Sequence, residues 1–143
     1  MDDAVGVADV YITSRKHAGV LIPRMVHTED EVRAWFASIV LVEQEVWVAE
    51  SLGAVTAVMV LRGDSLDHLY VHPTFQRQGI GTRLLAHAKR QRPGGLRLYT
   101  FEANEPARDF YEGHGFKAIA FGDGTANEEG APDVLYEWKG ILR

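Results

Sequence analysis

The stretch from Val71 to Lys89, VHPTFQRQGIGTRLLAHAK, constrains the architecture of this chain more than any other. A strand-like run stops at Pro73, and a short loop carries Gln76, Arg77, Gln78, Gly79, Ile80 and Gly81. A helical pattern then starts at once, with Ile80, Leu84, Leu85 and Ala88 at the spacing of one buried face. After a Pro93-Gly94-Gly95 break, a second strand-like run follows at 96–100. Strand, helix and strand in succession form a crossover, and a crossover pairs its two strands in parallel.

The loop also has a chemistry. Gly79 and Gly81 lack a Cβ, so the backbone can adopt positive φ and come close to a ligand. Successive N–H groups at the positive end of a helix form an anion cradle, and Arg77 and Arg83 add charge at its rim. The anion expected is a pyrophosphate. A nucleoside-triphosphate loop would need Lys and then Ser or Thr after its last glycine, but Gly81 is followed by Thr82 and Arg83. A dinucleotide fingerprint would need a third glycine where Leu84 stands. On these two glycines alone, a plain strand-to-helix connection is as good an explanation as a cradle.

Upstream, a helical pattern at 4–17 puts Val7, Val10 and Tyr11 on one face. Thr28 with Glu31 forms a capping box ahead of Val32, Trp35, Phe36, Ile39 and Val40, an amphipathic helix. Alternating runs at 45–50, 54–62 and 65–71, joined by Ser51-Leu52-Gly53 and Gly63-Asp64, predict an antiparallel meander. Downstream come a helix at 105–114 ended by Gly115, a strand at 117–121, a glycine-rich loop from Gly122 to Pro132, and a last strand at 133–139. The expectation is an α+β fold in one domain spanning 1–143: a mostly antiparallel mixed sheet of about six strands with about four helices.

Two blocks of this pattern resemble the GCN5-related N-acetyltransferase (GNAT) superfamily. Gln76, Gly79 and Gly81 meet its acetyl-CoA loop pattern, Gln/Arg-x-x-Gly-x-Gly/Ala. The segment NEPARDFYEGHGF is similar to its next signature through Asn104, Ala107, Phe110, Tyr111, Gly115 and Phe116. The resemblance runs from Val46 to Trp138, and more loosely back to Val7. One departure from the family pattern stands at the front, where helical spacing begins almost at once: either the chain is trimmed, or the start is misassigned, or the sheet lacks its first edge strand.

What the resemblance implies is specific. Two parallel strands splay, and the pantetheine arm of acetyl-CoA enters the gap. The main chain of Leu69, Tyr70 and Val71 would bond the pantetheine amides. Gln76, Arg77, Gln78, Gly79, Ile80, Gly81 and Thr82 would hold the pyrophosphate. Asn104, Ala107, Phe110 and Tyr111 would line the cofactor, Asn104 serving also as the cap of its helix. Tyr111 matches the tyrosine that protonates the departing thiolate. Without the resemblance, Tyr111 on the face of Ala107, Phe110 and His114 would be read as core.

Acetyl transfer to an amine needs a neutral amine, a stabilised oxyanion and a departing thiolate. A lysine-like amine of pKa near 10.4 costs roughly 4–5 kcal/mol to neutralise at pH 7, so a base or a desolvating pocket is required. Asp67 is the first candidate, with Glu50 and a water relay behind it. His68 and His72 fall on the opposite face by alternation and are read as structural or surface residues. With no cysteine, direct attack in a ternary complex is the simplest mechanism. A non-catalytic acyl-CoA-binding module is the alternative.

Composition narrows the partners. Cysteine is absent, so disulfides, thiolate metal sites and an acyl-cysteine intermediate are out, and no histidine spacing suggests a metal. A formal charge of −5 argues against nucleic acid, and no apolar run or signal layout points to a membrane, so a cytoplasmic protein is expected. The acceptor expected is a small-molecule or peptide amine, with specificity in 15–27, the second helix and the loop from Gly122 to Pro132. Relatives in the family are commonly dimeric, and Trp35, Phe36 and Trp138 are candidates for such a homodimer interface or for the core.

Overall fold

The computed structural model describes residues 3–21, 23, 25–40 and 44–141. Three consecutive strands, β1 (Glu45–Ser51), β2 (Ala54–Arg62) and β3 (Ser65–Val71), pair antiparallel as the meander predicts. The β1–β2 turn puts Leu52 at φ 52° and Gly53 at φ 82°, the doubly positive geometry that matches the twist of a tight hairpin. Helix α1 (Asp3–Ala18) precedes the meander, followed by α2 (Glu29–Trp35), which opens on the Thr28–Glu31 capping box. Beyond β3 the chain forms α3 (Ile80–Gln91), β4 (Leu96–Phe101), α4 (Glu105–Gly113), β5 (Lys117–Gly122) and β6 (Asp133–Trp138).

The six strands form one sheet in the order β1-β2-β3-β4-β6-β5. Only β3 and β4 are parallel, the pair that the crossover through α3 requires. Among the described residues the first element is α1, and β1 is a sheet edge.

β2 is the centre of the molecule: from Thr56 to Leu61 no residue is more than 1% exposed. Its two faces serve two cores. Val58 and Val60 meet Val7, Val10 and Tyr11 of α1 together with Val32 and Phe36. Ala57, Met59 and Leu61 meet α3 through Leu84, Leu85 and Ala88, and Tyr111 of α4. Truncating Met59 or Leu61 to Ala is worth about 2–5 kcal/mol of stability at such sites. Gly6 allows α1 to lie close on β2, since a Cβ there would sit 2.8 Å from Val55 Cγ2.

Three local departures from the expected pattern have physical causes. The second helix changes at Phe36 into a π turn over Phe36–Val40, where Ser38 Oγ donates to the Ala34 carbonyl at 2.7 Å. The side chains of Ile39 and Val40 lie outside the described residues. Phe36 is fully buried against Tyr11, so it belongs to the core and not to a dimer interface. The third departure is in β3. Leu66 opposes Leu61 and His68 opposes Val60, which leaves Asp67 as the extra residue of a β-bulge.

The described residues contain no helix long and apolar enough to cross a membrane.

Candidate active site

The crossover loop builds a cradle from its own backbone. Pro73–Phe75 make a 3₁₀ turn capped by His72, whose Nδ1 accepts the Thr74 N–H at 3.1 Å. Gln76 then ties the loop back, its Nε2 donating to the Val71 carbonyl at 3.0 Å. Arg77 and Gly79 both take positive φ, 65° and 78°, which turns successive amides toward one side. Gly79 is the N-cap of α3 and offers no side-chain cap. The first intrahelical donor is Arg83, bonded to the Gly79 carbonyl at 3.0 Å. The amides of Gly79, Ile80, Gly81 and Thr82 thus find no acceptor among the described residues. A polarised, uncapped helix start of this kind binds an anion.

A groove of about 440 Å³ runs from this cradle between β3 and α4. Leu69, Val71, Gln76, Arg77, Gly79, Ile80, Gly81, Thr82, Ala107, Phe110 and Tyr111 all line it. Gly81 fits its place, because a Cβ there already makes van der Waals contact with Phe110 and Val71 at 3.6 Å, and anything larger would fill the groove. Gln78 is exposed in the loop and lines none of the cavities described here.

At Leu69, Ala107 and Tyr111 the groove opens into a second cavity of about 600 Å³. This one is the gap between the parallel strands. β3 and β4 pair only at Ser65 opposite Arg97, with the Arg97 N–H on the Asp64 carbonyl at 2.9 Å. Beyond that point β3 stays with β2 and β4 with β6, so the sheet parts. The ladder alternation settles which amides face the gap. His72 N–H donates to the Thr56 carbonyl at 2.8 Å, so Tyr70 and His68 also spend their main-chain groups on β2. Leu69 therefore turns both of its groups toward the gap and Val71 its N–H, while the Val71 carbonyl accepts from Gln76 Nε2 at 3.0 Å and Ser14 Oγ at 3.1 Å. Tyr70 does not: its main chain is taken by the ladder and its side chain packs on Tyr11 at 5.0 Å, against the expectation that all three residues would serve alike.

Tyr111 stands at the junction of groove and gap. Its ring is wedged between Phe110 and Phe116, at 5.2 and 5.6 Å. Its hydroxyl has no hydrogen-bond partner among the described residues, and burial pushes its pKa well above that of a free tyrosine. Helix α4 is fixed beneath it by Tyr136, which donates to Glu112 at 2.6 Å and accepts from Arg108 Nε at 3.0 Å. Asn104 lines the gap and also caps α4 by accepting the Ala107 N–H at 3.4 Å.

Asp67, His68, Tyr70, Tyr99, Phe101 and Glu129 connect the gap to a third cavity, about 620 Å³, on the side of α1 and α2. The bulge brings Asp67 and His68 to the same cavity, where simple alternation would separate them. Asp67 accepts from Ser65 Oγ at 2.6 Å and Arg62 Nε at 2.8 Å. His68 is enclosed by rings, and desolvation lowers its pKa to about 4. Arg15, His27, Glu31, Trp35, Glu128 and Glu129 complete the wall, drawn from the segments in which sequence placed specificity. Sequence reasoning did not single out Tyr11, Arg15 or Glu129; only the packing of α1 and of the β5–β6 loop against β3 brings them together. Among the described residues no cluster of three or more His, Asp or Glu could hold a metal.

Residues 42–118, more than half of the chain, match the family model described as an acetyltransferase (GNAT) domain. The peptidyl-lysine N-acetyltransferase YjaB of Salmonella typhimurium is 35% identical over 100 residues, 66% of this chain and 64% of that protein. The chain thus spans under two thirds of the length of the curated relatives it matches. The solution structure of apo YjaB from Escherichia coli superposes with a TM-score of 0.77 at 23% identity, covering 96% of this chain and 92% of that one. The PaiA N-acetyltransferase of Thermoplasma acidophilum, solved with coenzyme A, gives 0.66 at 18% identity over 96% of this chain and 92% of that one.

Proposed function

The chain belongs to the GNAT acetyltransferase family, and from that premise we propose that it transfers the acetyl group of acetyl-CoA to a primary amine of a small molecule or peptide. One observation carries this reading: an uncapped helix start opens through Tyr111 into a gap between two parallel strands. In this reading the pyrophosphate lies on the amides of Gly79 to Thr82. The pantetheine arm bonds the main chain of Leu69 and Val71 as an added strand would. The thioester then sits beside Tyr111, and the amine arrives from the side of α1 and α2. The solved complex of a relative with coenzyme A supports the choice of cofactor.

The amine nitrogen attacks the thioester carbonyl carbon, the C–N bond forms and the C–S bond breaks. Asp67 has by then taken one proton from the arriving ammonium; the departing thiolate takes the Tyr111 proton, and the surplus proton of the nitrogen restores Tyr111. Ser65 and Arg62 occupy two of the roughly four lone-pair sites of that carboxylate and hold it at the junction of the two cavities, leaving sites free for the amine. Positioning both substrates supplies the rest of the rate.

The test is thiol release from acetyl-CoA with a panel of primary amines. Amine-dependent release is expected. Tight coenzyme A binding without release for any amine would leave only an acyl-CoA-binding module.

A further inference from the structure

The third cavity has a composition that selects among amines. We propose that it takes a primary ammonium carried on an apolar stem and disfavours acceptors that bear a carboxylate beside the amine. The inference rests on the acetyl-transfer reading for the fate of the amine, but not for its binding.

Two features of the wall carry it. The first is a set of rings at steep angles to one another. Tyr11 meets Trp35 at 67°, Tyr70 at 73° and His68 at 83°, with centroids 5.0–6.4 Å apart, and Trp35 meets His68 at 80°. The four rings all line the cavity and give it an aromatic wall that suits an alkyl or aryl stem, while the Tyr11 ring is already covered by the Arg15 guanidinium at 5.6 Å. His68 does not compete as a cation, because its burial keeps it neutral at pH 7.

The second feature is charge. Asp67, Glu31, Glu128 and Glu129 line the cavity, with Arg15 as the single arginine among the described residues of its wall. Arg15 is not a free carboxylate receptor. Its Nη1 donates to the Tyr11 hydroxyl at 2.9 Å, and its Nη2 donates to the Pro23 carbonyl at 3.0 Å and lies 3.5 Å from Glu129. Its Nε has no hydrogen-bond partner among the described residues but is buried out of contact with solvent. Each carboxylate has a partner: Glu129 in Arg15, Glu128 in His27 at 3.2 Å, Asp67 in Arg62 and Glu31 in the Thr28 N–H. The four acids still outnumber the arginine among the described lining residues, and that balance attracts a cation and repels an α-carboxylate. The ammonium drawn in this way meets Asp67 at the inner end, where the proton must leave.

The experiment is calorimetric titration of the full chain, loaded with coenzyme A, using three probes. Phenethylamine stands for a small amine, a lysine with both termini capped as neutral amides stands for a peptide side chain, and phenylalanine adds a carboxylate to the first. At least one of the first two should bind tenfold or more tighter than phenylalanine, and the better of them identifies the source of the acceptor. Trp35→Leu and, separately, Glu128→Gln should each weaken that probe several-fold with coenzyme A affinity unchanged. Phenylalanine binding as tightly as phenethylamine would overturn the proposal, as would failure of both amines to bind a chain that still binds coenzyme A. Amine binding without thiol release would sustain the pocket and defeat the transferase reading.

Discussion

Replacing Tyr111 by Phe removes one oxygen from the place where the cofactor groove meets the strand gap. The structural cost should be small. The hydroxyl has no partner among the described residues, and the ring contacts with Phe110 and Phe116 survive. No buried acceptor is left unsatisfied, so stability should change by less than about 1 kcal/mol. The chemical cost should be large. A coenzyme A thiol of pKa about 8.5 leaves more readily when a donor protonates it, and a positioned acid contributes on the order of 10²–10⁴ in rate. The loss expected for Tyr111→Phe is about 10²-fold in kcat, or about 2.7 kcal/mol of transition-state stabilisation. Desolvation raises the pKa of this tyrosine, so the hydroxyl keeps its proton across the neutral range and its ionisation should not shape a profile between pH 6 and 9. The assay is thiol release at saturating acetyl-CoA and amine, with melting temperature and coenzyme A affinity measured alongside. A folded, cofactor-binding Tyr111→Phe chain that turns over at the wild-type rate across that range would refute the assignment.

Other outcomes follow from the same geometry. Gly79→Ala adds a Cβ with no atom within 4 Å but at φ +78°, so a conformational cost of about 1–2 kcal/mol is expected, with weaker coenzyme A binding by calorimetry. Asp67→Asn should lower kcat/KM for amines at least tenfold, measured as thiol release with an amine panel, while Ser65→Ala, which only loosens the carboxylate, should cost less. His68 holds a folded-state pKa of about 4 against an ordinary value of 6.5. Its contribution to stability is present above pH 6.5 and is lost as pH falls from there toward 4, by up to about 3 kcal/mol. Urea unfolding of the wild type against His68→Phe at pH 7, 5.5 and 4 isolates that loss, and an equal acid sensitivity in both chains would count against it.

Most of this fold is legible in local patterns because its elements carry their own signals. The turn at Leu52-Gly53, the capping box at Thr28 and the loop glycines each fix a boundary without tertiary help. The insertion of β6 between β4 and β5 is not legible, since it depends on Val134 and Tyr136 being buried, 0% exposed, under α4. The bulge at Asp67 has no local signal either: nothing in Ser65-Leu66-Asp67-His68 separates it from ordinary alternation. That single residue nevertheless decides how the site works. Across it Leu66 stays in the α3 core while His68 and Tyr70 turn toward α1 and α2. From the same point the main chain of Leu69 and Val71 faces the gap that opens beyond Ser65. In the proposed reading, one strand thereby offers backbone to the cofactor on its edge and side chains to the acceptor on its face. A deletion of Asp67 would remove the bulge and leave Leu66 opposite Leu61 and His68 opposite Val60, so each face of β3 would keep its side chains and only the carboxylate would be lost. For this reason Asp67→Asn, which keeps the bulge, tests the carboxylate alone, whereas the deletion tests whether the bulge itself is needed when the register of Leu66 and His68 is kept.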